Sequence, residues 1–221
     1  MFWPFVMATD PAPAEAPGLT VSVAVLAKAP VPGHAKTRLA GALGPVGAAR
    51  LHRQLVLRSL NTVRQAGLPL ELWCEPLDHR FFRALTRQQG CLTLAQPAGD
   101  IGARMHAAFV HHAQRSQAPL LLIGTDCPVL EPAHLQEAGR RLLAGDEAVF
   151  IPAEDGGYVL VGLRHPVPEL FEGMAWSTEQ VMAQTRLQLQ HLGLRYSELP
   201  MLWDIDRPAD WLRWQALQAK G

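Results

Sequence analysis

The chain has only three cysteines, Cys74, Cys91 and Cys127, and none lies in a CxxC or other metal-type spacing. That argues against a disulfide framework and against a cysteine-held metal. An odd number of scattered thiols suits a reducing compartment, so a cytoplasmic location is expected. Charge of one sign is lacking too: 20 basic residues balance 20 acidic ones. No broad cationic field follows, which argues against nucleic acid or an anionic membrane as the main partner. No apolar run is long enough to span a bilayer. Met1 to Met7 is apolar but short, carries no Lys or Arg, and is broken by Pro4, so it reads neither as a signal peptide nor as a membrane span. No HExxH pattern organises the nine histidines, which read as surface or satisfied core residues. Neither GxxxxGK[ST] nor GxGxxG occurs, so the P-loop and the dinucleotide loop are excluded.

What is present is a globular composition, 48% hydrophobic and 18% charged, in 221 residues, a length that suits one domain with a sizeable core. Asp10 to Gly18 is rich in proline and alanine and reads as an extended linker. Residues 1–18 are therefore expected to be a flexible extension and 19–221 the folded domain. Phe2, Trp3 and Phe5 could cover a partner subunit in a homodimer or be disordered.

Strand and helix patterns alternate along the domain. Short β-branched or apolar runs mark strands at 21–27, 70–74, 92–95, 119–123, 148–151, 159–162 and 194–199. Helical spacing marks 51–63, ending at Gly67, then 79–89, 103–114, 133–143, 178–191 and 207–217. This order predicts a single-domain α/β fold with a mostly parallel sheet and helices on both faces. Two successive strands around Glu154 predict a local antiparallel, mixed region.

Chemistry-bearing residues cluster after strands. Leu122-Ile-Gly-Thr-Asp-Cys-Pro128 runs a buried strand into an acidic turn, and ligands of open α/β sheets bind outside the carboxyl ends of strands. Asp126 there suits a divalent cation and the phosphates it carries, or else a helix cap. Lys28-x7-Lys36-Thr-Arg38 follows the first strand. Arg38 can grip two phosphate oxygens, Lys36 acts as a point charge, and a helix start adds N–H donors. Gly99-Asp-Ile-Gly-x-Arg-Met105 suggests close ligand approach at Gly99 and Gly102. Asp100 is a candidate for base or ribose contact or a cap, and Arg104 for a phosphate. Glu154-Asp-Gly-Gly-Tyr158 puts two carboxylates on a glycine turn, one of them a candidate general base, although a hairpin alone explains the glycines. In Trp176-Ser-Thr178, Ser177 or Thr178 reads as an N-cap and Trp176 as a cover for a ligand. Asp204 and Asp206 follow the last strand, and one of them is expected to face the same site as Asp126.

Taken together, Leu26-Ala-Lys-Ala-Pro-Val-Pro-Gly-x-Ala-Lys-Thr-Arg-Leu39, Gly99-Asp-Ile-Gly-x-Arg-Met105, Gly124-Thr-Asp-Cys-Pro128, Pro152-Ala-Glu-Asp-Gly-Gly-Tyr158, Trp176-Ser-Thr178 and Asp204-Ile-Asp-x-Pro-x-Asp210 resemble the motifs of the rSAM/selenodomain-associated transferase 1 family. Its members are proposed glycosyltransferases linked to arsenosugar synthesis. The resemblance spans roughly residues 21–215. It implies the GT-A, nucleotide-diphospho-sugar transferase fold, with 2-phospholactate guanylyltransferase and the molybdenum-cofactor nucleotidyltransferases as relatives. It further implies that Asp126 and Asp206 hold Mg²⁺ or Mn²⁺. Lys36, Arg38, Glu154 and Asp155 are the implied catalytic residues. The nucleotide is expected at Ala27, Lys28, Pro30, Gly33, Lys36, Arg38, Gly99, Asp100, Gly102, Arg104 and Thr125. Two departures stand out. Pro30 and Pro32 interrupt the usual glycine-rich loop, and Asp126 lacks the DxD partner, so its second carboxylate comes from Asp206 or Asp155. The expected activity is metal-dependent glycosyl transfer from a nucleotide sugar to a small acceptor. Nucleotidyl transfer with release of pyrophosphate, and nucleotide binding without turnover, are the alternatives.

Overall fold

Alternation along the first strand sets the two faces of the sheet. In the computed structural model, which describes residues 20–219, β1 (Ser22–Lys28) buries Val23, Val25 and Ala27 in one core and Ala24 and Leu26 in another. The first core is closed by α1 (Ala40–Gln65), α2 (Arg80–Gln89) and α4 (Pro132–Leu143), through Val56, Leu60, Phe82, Leu85, Leu135 and Leu142. The second is closed by α3 (Ile101–Ala113) and α5 (Val181–His191), through Met105, Phe109, Met182 and Leu189. The strands β2 (Leu70–Glu75), β3 (Leu92–Ala95), β4 (Leu120–Ile123), β5 (Ala148–Pro152), β6 (Tyr158–Leu163) and β7 (Tyr196–Glu198) complete a seven-stranded sheet of order β3-β2-β1-β4-β6-β5-β7. Its pairs are parallel except where β6 runs antiparallel to β4 and β5. This is the mixed region expected around Glu154. A third, smaller cluster of Leu39, Leu51, Leu55, Trp203 and Ile205 lies beside α6 (Pro208–Gln218).

The structure departs from the sequence reading at several ends. Helical structure begins at Ala40, eleven residues before Leu51, and α1 is two helices joined at Gly44, whose φ of 67° and ψ of 160° end the first before Pro45 opens the second. The last strand shrinks to three residues. The cap expected at Ser177 or Thr178 is not formed: α5 starts after Gln180, and the Thr178 hydroxyl donates to the Ala175 carbonyl (2.7 Å). Asp126 caps no helix. Helix α4 opens at Glu131, whose N–H donates to His134 Nδ1 (3.0 Å). The expected extension, 1–18, lies outside the described residues.

Among the described residues no helix is long and apolar enough to cross a membrane.

Candidate functional site

Strand β4 ends at Ile123, and the chain leaves the sheet through Gly124 and Thr125 to Asp126, beyond the carboxyl ends of β1 and β4. The carbonyl of Asp126 accepts the N–H of Ile205 (2.8 Å), which pins the 203–206 loop beside it. Lys36 approaches from the other side. Its backbone is left-handed (φ 50°, ψ 46°), an unusual state for a lysine that persists only where its surroundings over-determine it. The turn carries its side chain inward until only 5% is exposed. The ammonium then donates to the Ile205 carbonyl and sits 2.8 Å from Asp126 Oδ2. One buried cation thus ties three loops together at a half-exposed carboxylate. Two residues on, Arg38 is exposed and pairs with Asp206.

Asp126 borders three clefts. The first, about 390 Å³, runs toward α3 and is lined by Leu26, Lys28, His52, Gln96, Gly99, Ile101, Arg104 and Thr125. The second, about 190 Å³, runs toward the β5–β6 turn and is lined by Cys127, Asp155, Gly157, Tyr158 and Asp204. The third, about 360 Å³, opens over the Lys36 loop and takes in His34, Arg38 and Asp206. A large cleft, a small one and a cationic one therefore meet at a single carboxylate.

The wall of the large cleft is tightly fixed. Both amide hydrogens of Gln96 go to backbone carbonyls, of Ala27 (3.0 Å) and Trp73 (2.9 Å). Its oxygen accepts from Arg104 Nη1 (3.3 Å). Arg104 is clamped by both oxygens of Glu75 and donates through Nε to the Gly99 carbonyl (3.2 Å). The guanidinium holds the Glu75 carboxyl below the usual range. His52 is buried with Nε2 3.0 Å from the Lys28 carbonyl, so Nε2 carries the hydrogen and Nδ1 is a buried acceptor without a partner among the described residues. Burial lowers its pKa.

In the small cleft, Asp204 is pushed up to about 6, first by burial and then by repulsion from Asp155 and Asp126. Burial also pushes the Cys127 thiol up to about 12, which keeps it protonated and unsuited to nucleophilic attack. Asp155 accepts the N–H of Gly157 (2.9 Å) through Oδ1. Three carboxylates, Asp126, Asp155 and Asp204, share this cleft, and the repulsion felt by Asp204 marks surplus negative charge. That donor set, hard oxygens only, fits Mg²⁺ or Mn²⁺. Among the described residues no group of three or more His, Cys, Asp or Glu side chains is placed to hold a metal ion together, these three carboxylates included. A site of one or two carboxylates completed by phosphates and water, the habit of Mg²⁺, matches both facts.

The architecture recurs in solved structures. Residues 58–178 match the profile of a family described as an uncharacterized protein conserved in bacteria, DUF2064. The chain belongs to that family. The match takes in Asp126 and Asp155 but ends before Asp204, and it begins after Lys36. A Desulfovibrio desulfuricans G20 protein described as a candidate nucleotide-diphospho-sugar transferase is 28% identical, with a TM-score of 0.78 over 85% of this chain and 82% of its own. A nucleotidyl transferase from Methanothermobacter thermautotrophicus superposes with a TM-score of 0.61 at 13% identity, over 92% and 99% of the two chains. Glucosyl-3-phosphoglycerate synthase from Mycobacterium tuberculosis, solved with Mn²⁺, UDP and glucosyl-3-phosphoglycerate, gives 0.55 at 12% identity over 89% and 75%. Together these likenesses show the fold, a nucleotide-diphospho-sugar transferase-like one. No curated protein matches the sequence.

Within this DUF2064 chain, the structure gathers Lys28, Lys36, Arg38, Gly99, Arg104, Thr125, Asp126, Asp155 and Asp206 around the clefts. Ala27 lies behind them as the acceptor for Gln96, and Pro30 and Gly33 lie in the Lys36 loop. Other expected residues serve different ends. Glu154 is held by a two-pronged pair with Arg213 (2.7 and 3.1 Å), which depresses its carboxyl and leaves a poor base. Asp100 caps α3, accepting the Ala103 N–H at 2.8 Å. Gly102 makes room for protein, not ligand: a Cβ there would stand 2.5 Å from the Trp176 indole nitrogen. Trp176 accordingly fills the space beside Gly102 and meets Tyr158 edge-on. His52, Glu75, Gln96 and Asp204 were not singled out from sequence as site residues. Nothing local marks the first three. Asp204 was in view, but its distance from Asp126 depends on the Ile205 bridge.

Proposed function

We propose that this chain is a metal-dependent transferase that moves a glycosyl group from a nucleotide sugar to a small acceptor. The observation that carries the proposal is the meeting of three clefts at Asp126, with the buried Lys36 ammonium held against it. The large cleft has the volume for a nucleoside. The cationic cleft suits its phosphates, and the small acidic cleft suits an acceptor hydroxyl.

Asp126 and Asp204 would hold Mg²⁺ or Mn²⁺, with Asp206 joining if Arg38 releases it. A bound cation would neutralise charge on the diphosphate as it leaves. The remaining work falls to the chain's own groups. Lys36 and Arg38 compensate the phosphate oxygens, each such contribution worth on the order of 10²–10³ in rate. Asp155 takes the acceptor hydroxyl proton as that oxygen bonds to the anomeric carbon. The bond from that carbon to the β-phosphate oxygen breaks, and the nucleoside diphosphate keeps the electron pair. Asp155 suits the role better than Glu154 because, among the described residues, no cation pairs with its carboxylate.

The loop after β1 favours a diphosphate over a triphosphate. The N–H groups of His34 and Ala35 both donate to the Val31 carbonyl (3.0 and 3.1 Å), so they are not free to cradle phosphate. The motif resemblance to the rSAM/selenodomain-associated transferases also supports a sugar donor. Nucleotidyl transfer is the second reading, supported by the fold shared with the Methanothermobacter enzyme. Product analysis separates the two. Nucleoside diphosphate released from a nucleotide sugar, lost in Asp126→Asn, supports glycosyl transfer. Pyrophosphate released from a triphosphate would replace it with nucleotidyl transfer.

A further inference from the structure

The large cleft carries a specificity that its volume alone does not explain. A guanidinium has five N–H donors in one plane. In Arg104, Nε donates to the Gly99 carbonyl, Nη1 to Glu75 and Gln96, and Nη2 once to Glu75 (3.2 Å). Four donors are thus spent on the protein. The fifth, the second hydrogen of Nη2, has no partner among the described residues. Planarity places it on the same edge of the guanidinium as the Nε–H, so it points the way the Gly99 carbonyl lies. Arg104 and Gly99 both line the cleft, and the Arg104 side chain keeps 17% of its surface exposed. The Gly99 oxygen has accepted one hydrogen bond and has a second lone pair. The cleft therefore presents one fixed donor beside one fixed acceptor. Gln96 cannot turn to change this, because both its amide hydrogens are held by backbone carbonyls.

Resting on the nucleotide-dependent reading above, we propose that this pair selects bases with an imide edge, a carbonyl oxygen beside a ring N–H, as in uracil and guanine. The Arg104 Nη2–H meets the base carbonyl and the Gly99 oxygen meets the ring N–H. Adenine and cytosine present the reverse, an amino donor beside a bare ring nitrogen, and would set donor against donor and acceptor against acceptor. A site built to pair a hydrogen-bonding group rejects the mismatched ligand strongly, because its own polar groups are left unpaired. Glu75 and Gln96 act as positioning residues that fix the fork.

The test is calorimetric titration of the full chain with UDP, GDP, CDP and ADP in the presence of MnCl₂. UDP or GDP is expected to bind at least about tenfold tighter than CDP and ADP. UDP methylated at N3 should lose about the same factor, with no change to the protein. Arg104→Lys keeps the charge but loses the fork, and should bring the four affinities within about threefold of one another. CDP or ADP binding as tightly as UDP and GDP would overturn the base selection. If that binding still required Asp126, the transferase proposal would stand. Discrimination that survived in Arg104→Lys would remove Arg104 from the mechanism. Should that variant fail to fold by circular dichroism, the N3-methyl arm decides. Absence of any diphosphate binding with Mn²⁺ would overturn both proposals.

Discussion

Replacing Asp126 by Asn tests the contact on which the site is built. Lys36 Nζ and Asp126 Oδ2 are 2.8 Å apart, which at an effective dielectric of 20 is a gross attraction of about 6 kcal/mol. Most of that is offset by desolvating a lysine whose side chain is only 5% exposed. Asp126 is 46% exposed, so water screens its end of the pair. The net cost of Asp126→Asn should fall below the 3–5 kcal/mol of a wholly buried broken pair, at about 2 kcal/mol. In a domain of this size that lowers Tm by about 4–8 °C. Lys36→Met leaves a carboxylate that water can reach and an Ile205 carbonyl without its donor, so about 1 kcal/mol is expected. The double variant no longer buries an unpaired ammonium, and should recover at least about 1 kcal/mol relative to additivity. Thermal melts of the four proteins in EDTA read this out. An additive double variant, or an Asp126→Asn melt within a degree of wild type, would refute the coupling.

Three further outcomes follow from single contacts. Asp155→Asn should abolish product formation in the sugar-transfer assay while Glu154→Gln keeps most of it, because Arg213 already occupies Glu154; equal losses would refute that division. Gly102→Ala should destabilise by about 1–3 kcal/mol, read by denaturant titration, since the new methyl meets the Trp176 indole; no loss would show that the indole yields freely. Asp204 has its pKa raised to about 6 in the folded chain against about 3.9 unfolded, so its stabilising contribution is complete below pH 4 and lost as pH rises through 6. Asp204→Asn in EDTA should therefore leave stability nearly unchanged at pH 4 and raise it at pH 7.5 by about 1–2 kcal/mol after discounting its partial exposure, or about 2–8 °C in Tm; no gain at pH 7.5 would refute the raised pKa.

The order of strands and helices was legible because it is written in short-range pattern. Alternation of Val23, Val25 and Ala27 with Ala24 and Leu26 gives β1 two buried faces, and the β6 reversal was signalled by two strands with no helix between them. Loops after strands also carry the charged side chains that line the clefts around Asp126. Which member of each acidic or basic pair faces the site was not legible, because long-range partners decide it. Glu154 and Asp155 are adjacent, and Arg213, 59 residues from Glu154, separates their roles. Arg104 looked like a phosphate ligand until Glu75, from another strand end, fixed it as part of a wall. Gly102 looked like a ligand approach, and its empty space belongs to Trp176.

The principal cations around the site are paired with carboxylates: Lys36 with Asp126, Arg38 with Asp206, Arg104 with Glu75. This has a consequence for the order of binding. A divalent cation arriving alone at Asp126 must displace Lys36, leaving a buried ammonium with only the Ile205 carbonyl. A diphosphate arriving alone must draw Lys36 and Arg38 away from carboxylates that then repel it. Arriving together, the two exchange partners: the carboxylates turn to the metal, and the cations turn to the phosphates. No buried charge is left unpaired in that exchange, so each ligand should tighten the other by the same factor, since coupling between sites is reciprocal. A factor of at least about ten, or about 1.4 kcal/mol, is expected between Mn²⁺ and a nucleoside diphosphate. Mn²⁺ binding followed by electron paramagnetic resonance, with and without the diphosphate, measures it. In Lys36→Met nothing remains to be exchanged at Asp126. Mn²⁺ alone should then bind more tightly than to wild type, and the coupling should shrink. Independent binding of the two ligands to the wild-type chain would mean that the Lys36–Asp126 pair stays closed in the working site.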